Sequence, residues 1–368
     1  MTYRRYVVKL GTTLLTSGTD QLDREVMAPL VEQVARLRQV GREVIVVSSG
    51  AIAAGREKLN VAERRNAPFK QVLASVGQSR LMNTYEALFG EHDITIAQAL
   101  LTKSDLCQRS GYLNARNTLL ALLELGIVCI VNENDVVALD EIEEFKFGDN
   151  DNLSAMVANL VDADLLVLLT DTGGLYTADP HVDPHAELVR RVQRIDDEVG
   201  KLAGRTASQQ GVGGMVTKIE AARLATSSGV HVLIAGGREP QVLERIDRGE
   251  EIGTLFPAVS SKMESRKRWL LSGLGRRGCV FVDRGAAVAV RGHNRSLLPA
   301  GVVHVKGRFQ RGDVVDILED STPIAYGICN YDSTDVAAIR GARSDRIAGI
   351  LGHHYGEEVV HRNNMVIL

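Results

Sequence analysis

Residues 211–220 read GVGGMVTKIE, a glycine-rich run that closes on Thr217-Lys218 and passes into a helical pattern. The P-loop pattern GxxxxGK[ST] needs glycine directly before the lysine and a hydroxyl directly after it. Here threonine precedes Lys218 and isoleucine follows, so the run is not a P-loop. A second lysine stands near the start of the chain, in Lys9-Leu10-Gly11-Thr12-Thr13. A lysine beside Gly-Thr can set a cation and backbone N–H groups on a phosphate, although a strand-end lysine is more often merely solvated. Between the two lysines come Asn132-Glu133-Asn134-Asp135 and Gly148-Asp149-Asn150-Asp151-Asn152. Capping the helix that follows, DNLSAMVANLV, needs one of Asp149 and Asn150 and not the whole set. Such a cluster can hold an ammonium group, a metal ion or the lysines of a phosphate site. Phosphoryl transfer needs cations to offset the charge spreading over the moving group and rigid donors to hold it in line. Nothing resembles a nucleophile–His–acid set, and no GxGxxG follows the first strand, which argues against a nicotinamide enzyme.

These residues sit at the ends of short apolar runs: 6–10, 43–49, 94–100, 127–133, 164–170 and 230–236. Helical stretches such as 24–40 and 117–126 lie between them. The alternation predicts a parallel sheet covered on both faces by helices, a three-layer αβα sandwich. In such sheets ligands bind at the carboxyl ends of strands. After the second run, Ser48-Ser49-Gly50-Ala51-Ile52-Ala53-Ala54-Gly55 enters a helix with small residues. They let a ligand approach the helix's positive end, or merely permit close helix–sheet packing. After the fifth run, residues 170–180 form a long turn in which Tyr176 suits a flat ring such as a nucleobase and equally suits an ordinary turn.

Length and composition set the frame. At 368 residues the chain fits two domains, and 43 basic against 46 acidic residues give no reason to expect a general nucleic-acid or membrane-surface binder. Four scattered cysteines with no CxxC pair read as reduced thiols. No apolar run approaches membrane-span or signal-peptide length, so a soluble, cytoplasmic protein is expected. From about residue 276 short strand-like runs with turn signals take over (279–283, 302–307, 313–318, 323–328 and a final MVIL), with helical turns over 333–351. The expected division is 1–258, a basic linker at 259–275, and a small mainly β domain at 276–368.

The motifs VVKLGTT, SSGAIAAGR, SVGQSRL (75–81), NENDVVA, FGDNDNLSA, LLTDTGGLYTADP and GGMVTKIEAA, in this order and spacing, resemble the glutamate 5-kinase family of the amino-acid kinase superfamily. The last 90 or so residues resemble the PUA domain that many bacterial members carry. The resemblance implies ATP-dependent phosphorylation of the γ-carboxylate of L-glutamate, the first step of proline synthesis, with proline as inhibitor. It implies that Lys9 and Lys218 bracket the ATP phosphates and that Asp151 holds both lysines in place. Ser49, Asp135 and Asn150 match glutamate-binding residues, with Asn132, Asn134 and Asp149 supporting them. Gly11, Thr170, Asp171 and the stretch Val212, Gly213, Gly214, Met215, Val216, Thr217 and Lys218 match the nucleotide loops. Mg²⁺ is then carried by the nucleotide rather than by a protein metal site. A homodimer or tetramer and a hand-over to glutamate-5-semialdehyde dehydrogenase are also implied.

Three features depart from the family pattern. Val212 and Val216 stand where hydroxyl residues are frequent, residues 141–150 run about three residues longer, and TDTGG lacks a charged residue at its third or fourth place. The rival readings are another kinase of the superfamily, acting on aspartate, acetylglutamate, carbamate or a nucleotide, and an RNA-binding PUA protein on a spent kinase scaffold. The SSGA and GDNDN stretches weigh against the first. Against the second, both lysines and Asp151 are present, and residues 276–368 carry 12 Lys and Arg against 10 Asp and Glu, well short of a dense basic stripe.

Overall fold

The computed structural model describes residues 3–59, 67–138, 150–180, 182–205, 214–259, 278–293 and 295–368. The chain divides into two compact units, Met1–Cys107 with Ala115–Lys262, and Gln108–Asn114 with Met263–Leu368. The first holds a seven-stranded sheet: β1 Arg5–Leu10, β2 Glu43–Ser48, β3 Ile96–Leu101, β4 Val128–Glu133, β5 Leu165–Thr170, β6 His231–Gly236 and β7 Thr254–Phe256. Its order is β3-β4-β2-β1-β5-β6-β7, parallel throughout except for β7, which runs antiparallel to β6. The chain builds outward from β1 to one edge and then returns to β5 on its other side, so β1 marks the switch point of the sheet. The crevice at the carboxyl end of a switch point is where open α/β sheets take ligands.

The helices are α1 Thr12–Leu15, α2 Arg24–Gln39, α3 Ala51–Leu59, α4 Ala67–Gly90, α5 Lys103–Cys107, α6 Arg109–Glu124, α7 Asn150–Leu160, α8 Asp197–Arg205, α9 Met215–Ser227 and α10 Val242–Asp247. Alternation along the strands sorts them into layers. Tyr6, Val8 and Leu10 of β1 face a core built with α2 (Met27, Leu30, Val31, Val34, Leu37), α4 (Leu81, Tyr85, Leu88, Phe89) and α10. Val7 and Lys9 therefore point to the opposite face, where α7 lies on β1 and packs against α9. Asp23 caps α2, its carboxylate accepting from the N–H groups of Glu25 and Val26.

Helices α3 and α4 meet backbone to backbone. A Cβ on Gly55 would stand 1.9 Å from the Leu73 carbonyl oxygen, and one on Gly77 would stand 1.8 Å from that of Ala51. No side chain fits at either place, which answers one question of SSGAIAAG: Gly55 serves helix packing. Gly50, in contrast, has φ +101°, a left-handed turn between β2 and α3 that favours glycine.

The second unit contains a separate five-stranded sheet: β8 Gly278–Val282, β9 Val302–Gly307, β10 Val314–Glu319, β11 Thr322–Ile328 and β12 Met365–Ile367. Its order is β12-β11-β10-β8-β9, with β8 and β10 parallel and the other pairs antiparallel. Its core includes Val280, Val315, Ile317, Ile324, Tyr331, Val336 and Ile347. A helix at Arg284–His293 was not anticipated from the sequence, because only Ala287 and Val290 form its buried face.

Candidate active site

Asp151 lies in the first turn of α7 and is fully buried. Lys9, at the carboxyl end of β1 and 4% exposed, places its Nζ 2.5 Å from Asp151 Oδ1. Lys218, in the first turn of α9 and 6% exposed, donates from Nζ to Asp151 Oδ2 at 3.3 Å. The Thr217 hydroxyl lies 2.9 Å from the same Oδ2 and 2.8 Å from the Gly214 carbonyl oxygen. Burial alone would raise the Asp151 carboxyl, but the charges of Lys9 and Lys218 and the hydrogen bonds from Lys9 and Thr217 outweigh it. They hold the group well below the usual carboxylate range. Two buried lysines converge on one carboxylate, an arrangement that suits a polyanion. Gly11 belongs to this corner: a Cβ there would stand 3.7 Å from Lys9 Nζ.

Next to the charged group runs a chain of amides. Asn150 Nδ2 lies 3.0 Å from Ser49 Oγ, 3.3 Å from the Ser48 carbonyl oxygen and 3.0 Å from Asn132 Oδ1. Asn132 Oδ1 also accepts from the Glu133 N–H at 2.9 Å, and Asn132 Nδ2 donates to Gln78 Oε1 on α4 at 2.8 Å. Asn150 thus spends its amide on β2 and β4 as a donor, rather than capping α7 as an acceptor. Beyond β4, the Asn134 carbonyl oxygen closes a turn by accepting from Val137 and Ala138 N–H. Asp135 sits in that turn, and burial pushes its carboxyl up to about 6. An ammonium partner would restore the charged form.

On the other side of β1, Thr170 is buried at the end of β5, and its hydroxyl donates to Asp171 Oδ1 at 2.9 Å. Asp171 itself is exposed. Tyr176 pairs in an isolated β-bridge with Leu188. Gly214 precedes α9 in extended conformation without a side-chain cap, Met215 is buried and Val216 is 40% exposed. The expected residues Asp149, Val212 and Gly213, and the long stretch up to residue 149, lie outside the described residues.

The structure therefore brings Lys9, Gly11, Asp151, Thr217 and Lys218 into one group, and Ser49, Asn132 and Asn150 into another beside it. Gln78 was missed as a member, although SVGQSRL had drawn notice as a motif. No sequence signal marked it, since the closeness of Gly77 to Ala51 and the bond to Asn132 show only in the fold. The Thr217–Asp151 contact was not anticipated either, since a threonine before a lysine reads only as part of a loop.

The amino acid kinase family model matches residues 4–236 and the PUA domain model matches residues 278–351. Fold and site thus define an amino acid kinase with an appended PUA domain. Glutamate 5-kinase of Dehalococcoides mccartyi (strain CBDB1) is 55% identical over 368 residues, covering 100% of this chain and 99% of that protein. Glutamate 5-kinase of Herpetosiphon aurantiacus is 51% identical, covering 99% of this chain and 98% of that protein. That of Photobacterium profundum is 50% identical, covering 98% and 96%. The chain belongs to the glutamate 5-kinase family. Among the described residues no helix is long and apolar enough to cross a membrane.

Proposed function

We propose that the chain transfers the γ-phosphoryl group of ATP to the γ-carboxylate of L-glutamate, giving γ-glutamyl phosphate and ADP. The observation that carries this reading is the buried Lys9–Asp151–Lys218 group, in which two lysines converge on one carboxylate. A γ-carboxylate oxygen attacks the terminal phosphorus while the bond from phosphorus to the β–γ bridging oxygen breaks. Lys9 and Lys218 flank the phosphoryl group and offset the charge spreading over its oxygens. Asp151 positions both cations without touching substrate. The uncapped first turn of α9 presents backbone N–H groups and the positive end of the helix to the nucleotide phosphates. Ser49, Asn150 and Asp135 hold the amino acid, Asp135 pairing with the α-ammonium.

Mg²⁺ fits this arrangement as a companion of the nucleotide, where it would shield phosphate charge. Asp151 is already committed to two lysines and offers it no free carboxylate. Inhibition by proline belongs to the same reading, because proline presents an α-carboxylate and a cationic nitrogen like those of glutamate. A cytoplasmic dimer or tetramer that passes its labile product to glutamate-5-semialdehyde dehydrogenase completes it, supported by the family resemblance.

The test is incubation with ATP, Mg²⁺ and glutamate in the presence of hydroxylamine. γ-Glutamyl hydroxamate should accumulate in proportion to enzyme. Folded protein that forms none, with glutamate at tens of millimolar, would contradict the reading.

A further inference from the structure

Hydrogen-bond directions along the amide chain are set by one backbone group. The Glu133 N–H can only donate, so the Asn132 atom it meets must be Oδ1. Asn132 then turns Nδ2 toward α4, and the Gln78 atom that receives it at 2.8 Å must be Oε1. The same Oδ1 fixes the atom of Asn150 that faces it as Nδ2. Two atoms are left over by this logic. Gln78 Nε2, a donor, and Asn150 Oδ1, an acceptor, are both buried and have no hydrogen-bond partner among the described residues. A buried polar atom without a partner costs free energy, so its place in a native protein calls for an explanation.

Both atoms belong to the amino-acid end of the site. In sheet order β4 stands two strands from β1, on the side away from β5, so Asn132 and its Gln78 partner are displaced from the Lys9 strand. The phosphoryl chemistry is at β1, α7 and α9. On the glutamate reading, the remainder of the amino acid, its α-carbon with one ammonium and one carboxylate, falls to β4 and α4. A spare donor and a spare acceptor match those two groups in sign.

Resting on the glutamate reading above, we propose that Gln78 is a specificity-determining residue that donates from Nε2 to the α-carboxylate of the amino-acid substrate, while Asn150 Oδ1 accepts from its α-ammonium. Asn132 is the positioning residue between them. The contact of Gly77 with Ala51 fixes the depth at which α4 presents Gln78.

Gln78→Glu is the decisive variant. It keeps an oxygen for Asn132 Nδ2 and replaces the donor with a negative oxygen. The glutamate KM should rise about 30-fold or more, with the ATP KM within about twofold of wild type. Isothermal titration with glutamate should show the same loss without any turnover. Glutamate α-amide retains the γ-carboxylate but offers an N–H where glutamate has a carboxylate oxygen. The wild-type preference for glutamate over this amide should shrink about 10-fold or more in Gln78→Glu. A purely structural role would weaken both substrates alike, and that result, or a glutamate KM within about twofold of wild type, overturns the proposal. Should Gln78→Glu fail to fold, Gln78→Met removes the donor without adding charge and should raise the glutamate KM about 10-fold. Failure of both to fold would make Gln78 a structural residue and also overturn the assignment. If wild-type protein neither binds nor phosphorylates glutamate, the functional reading falls and this inference with it. If wild type acts on glutamate and the variants keep its preference, the inference alone falls.

Discussion

Asp151 is ionised in the protein interior because two lysines reach it, and the lysines are tolerable there because Asp151 is ionised. Removing one partner exposes the dependence. Asp151→Asn leaves Lys9 and Lys218 facing each other with a neutral amide between them, and should cost about 3–5 kcal/mol in urea unfolding, besides abolishing turnover. Lys218→Ala keeps the Lys9–Asp151 pair. It should lower kcat about 1,000-fold while titrated glutamate still binds, since the proposed amino-acid residues lie toward β2 and β4. Asp135 predicts a pH effect of definite sign. Burial raises its carboxyl to about 6, so the substrate-free protein favours the protonated form more than an unfolded chain does. Its contribution to folding is full below the ordinary carboxylate range and is lost as pH rises through about 6. Under the proposed pairing of Asp135 with the α-ammonium, binding runs the other way, because that pairing needs the carboxylate. The glutamate KM should be flat above neutrality and rise about tenfold per pH unit on the acid side of that value, with Asp135→Asn weak and pH-independent. The lysines and acidic residues were legible in the sequence because charge beside glycine is conspicuous. Gln78 was not, because an amide three turns into a helix shows its purpose only once Asn132 faces it.

Sequence pattern located β1 to β6 within a residue or two, since most are apolar runs buried on both sides, although β3 is only partly buried and the short β7 went unread. Helix α4 went unread although one face of it is buried. Leu73, Gly77, Leu81, Tyr85 and Leu88 form that face, but a glycine interrupts it and Val72 stands 50% exposed outside it, which blurs the stripe of α4 in the sequence. Its seating rests on Gly77. Gly77→Ala should lose about 3 kcal/mol in urea unfolding, because the new Cβ would collide with backbone that cannot move aside. Gly90→Ala, at the end of the same helix with nothing within 4 Å of the added carbon, should hold or gain stability. Equal losses at both positions would show that helix propensity, not close packing, governs α4.

At the scale of the molecule there are two cores, one around the seven-stranded sheet and one around the five-stranded sheet. All the site residues named above lie in the first unit. ATP analogue and glutamate should therefore raise the unfolding temperature of the kinase unit in calorimetry, at 100 times Kd by the equivalent of about 2.7 kcal/mol. A change from parallel to mixed strand patterning made the two-part organisation readable, while the extra helix in the second unit stayed hidden behind two buried side chains. The central claim concerns which bond forms, and an isotope label decides it. Glutamate carrying heavy oxygen in its γ-carboxylate is incubated with ATP and hydroxylamine, and the inorganic phosphate released is weighed by mass spectrometry. Attack by the carboxylate on phosphorus followed by trapping at carbon leaves one heavy oxygen in each phosphate, and none with Lys218→Ala at equal times. Phosphate free of label from the wild-type protein would mean that ATP is merely hydrolysed and that the two-lysine site does not phosphorylate glutamate.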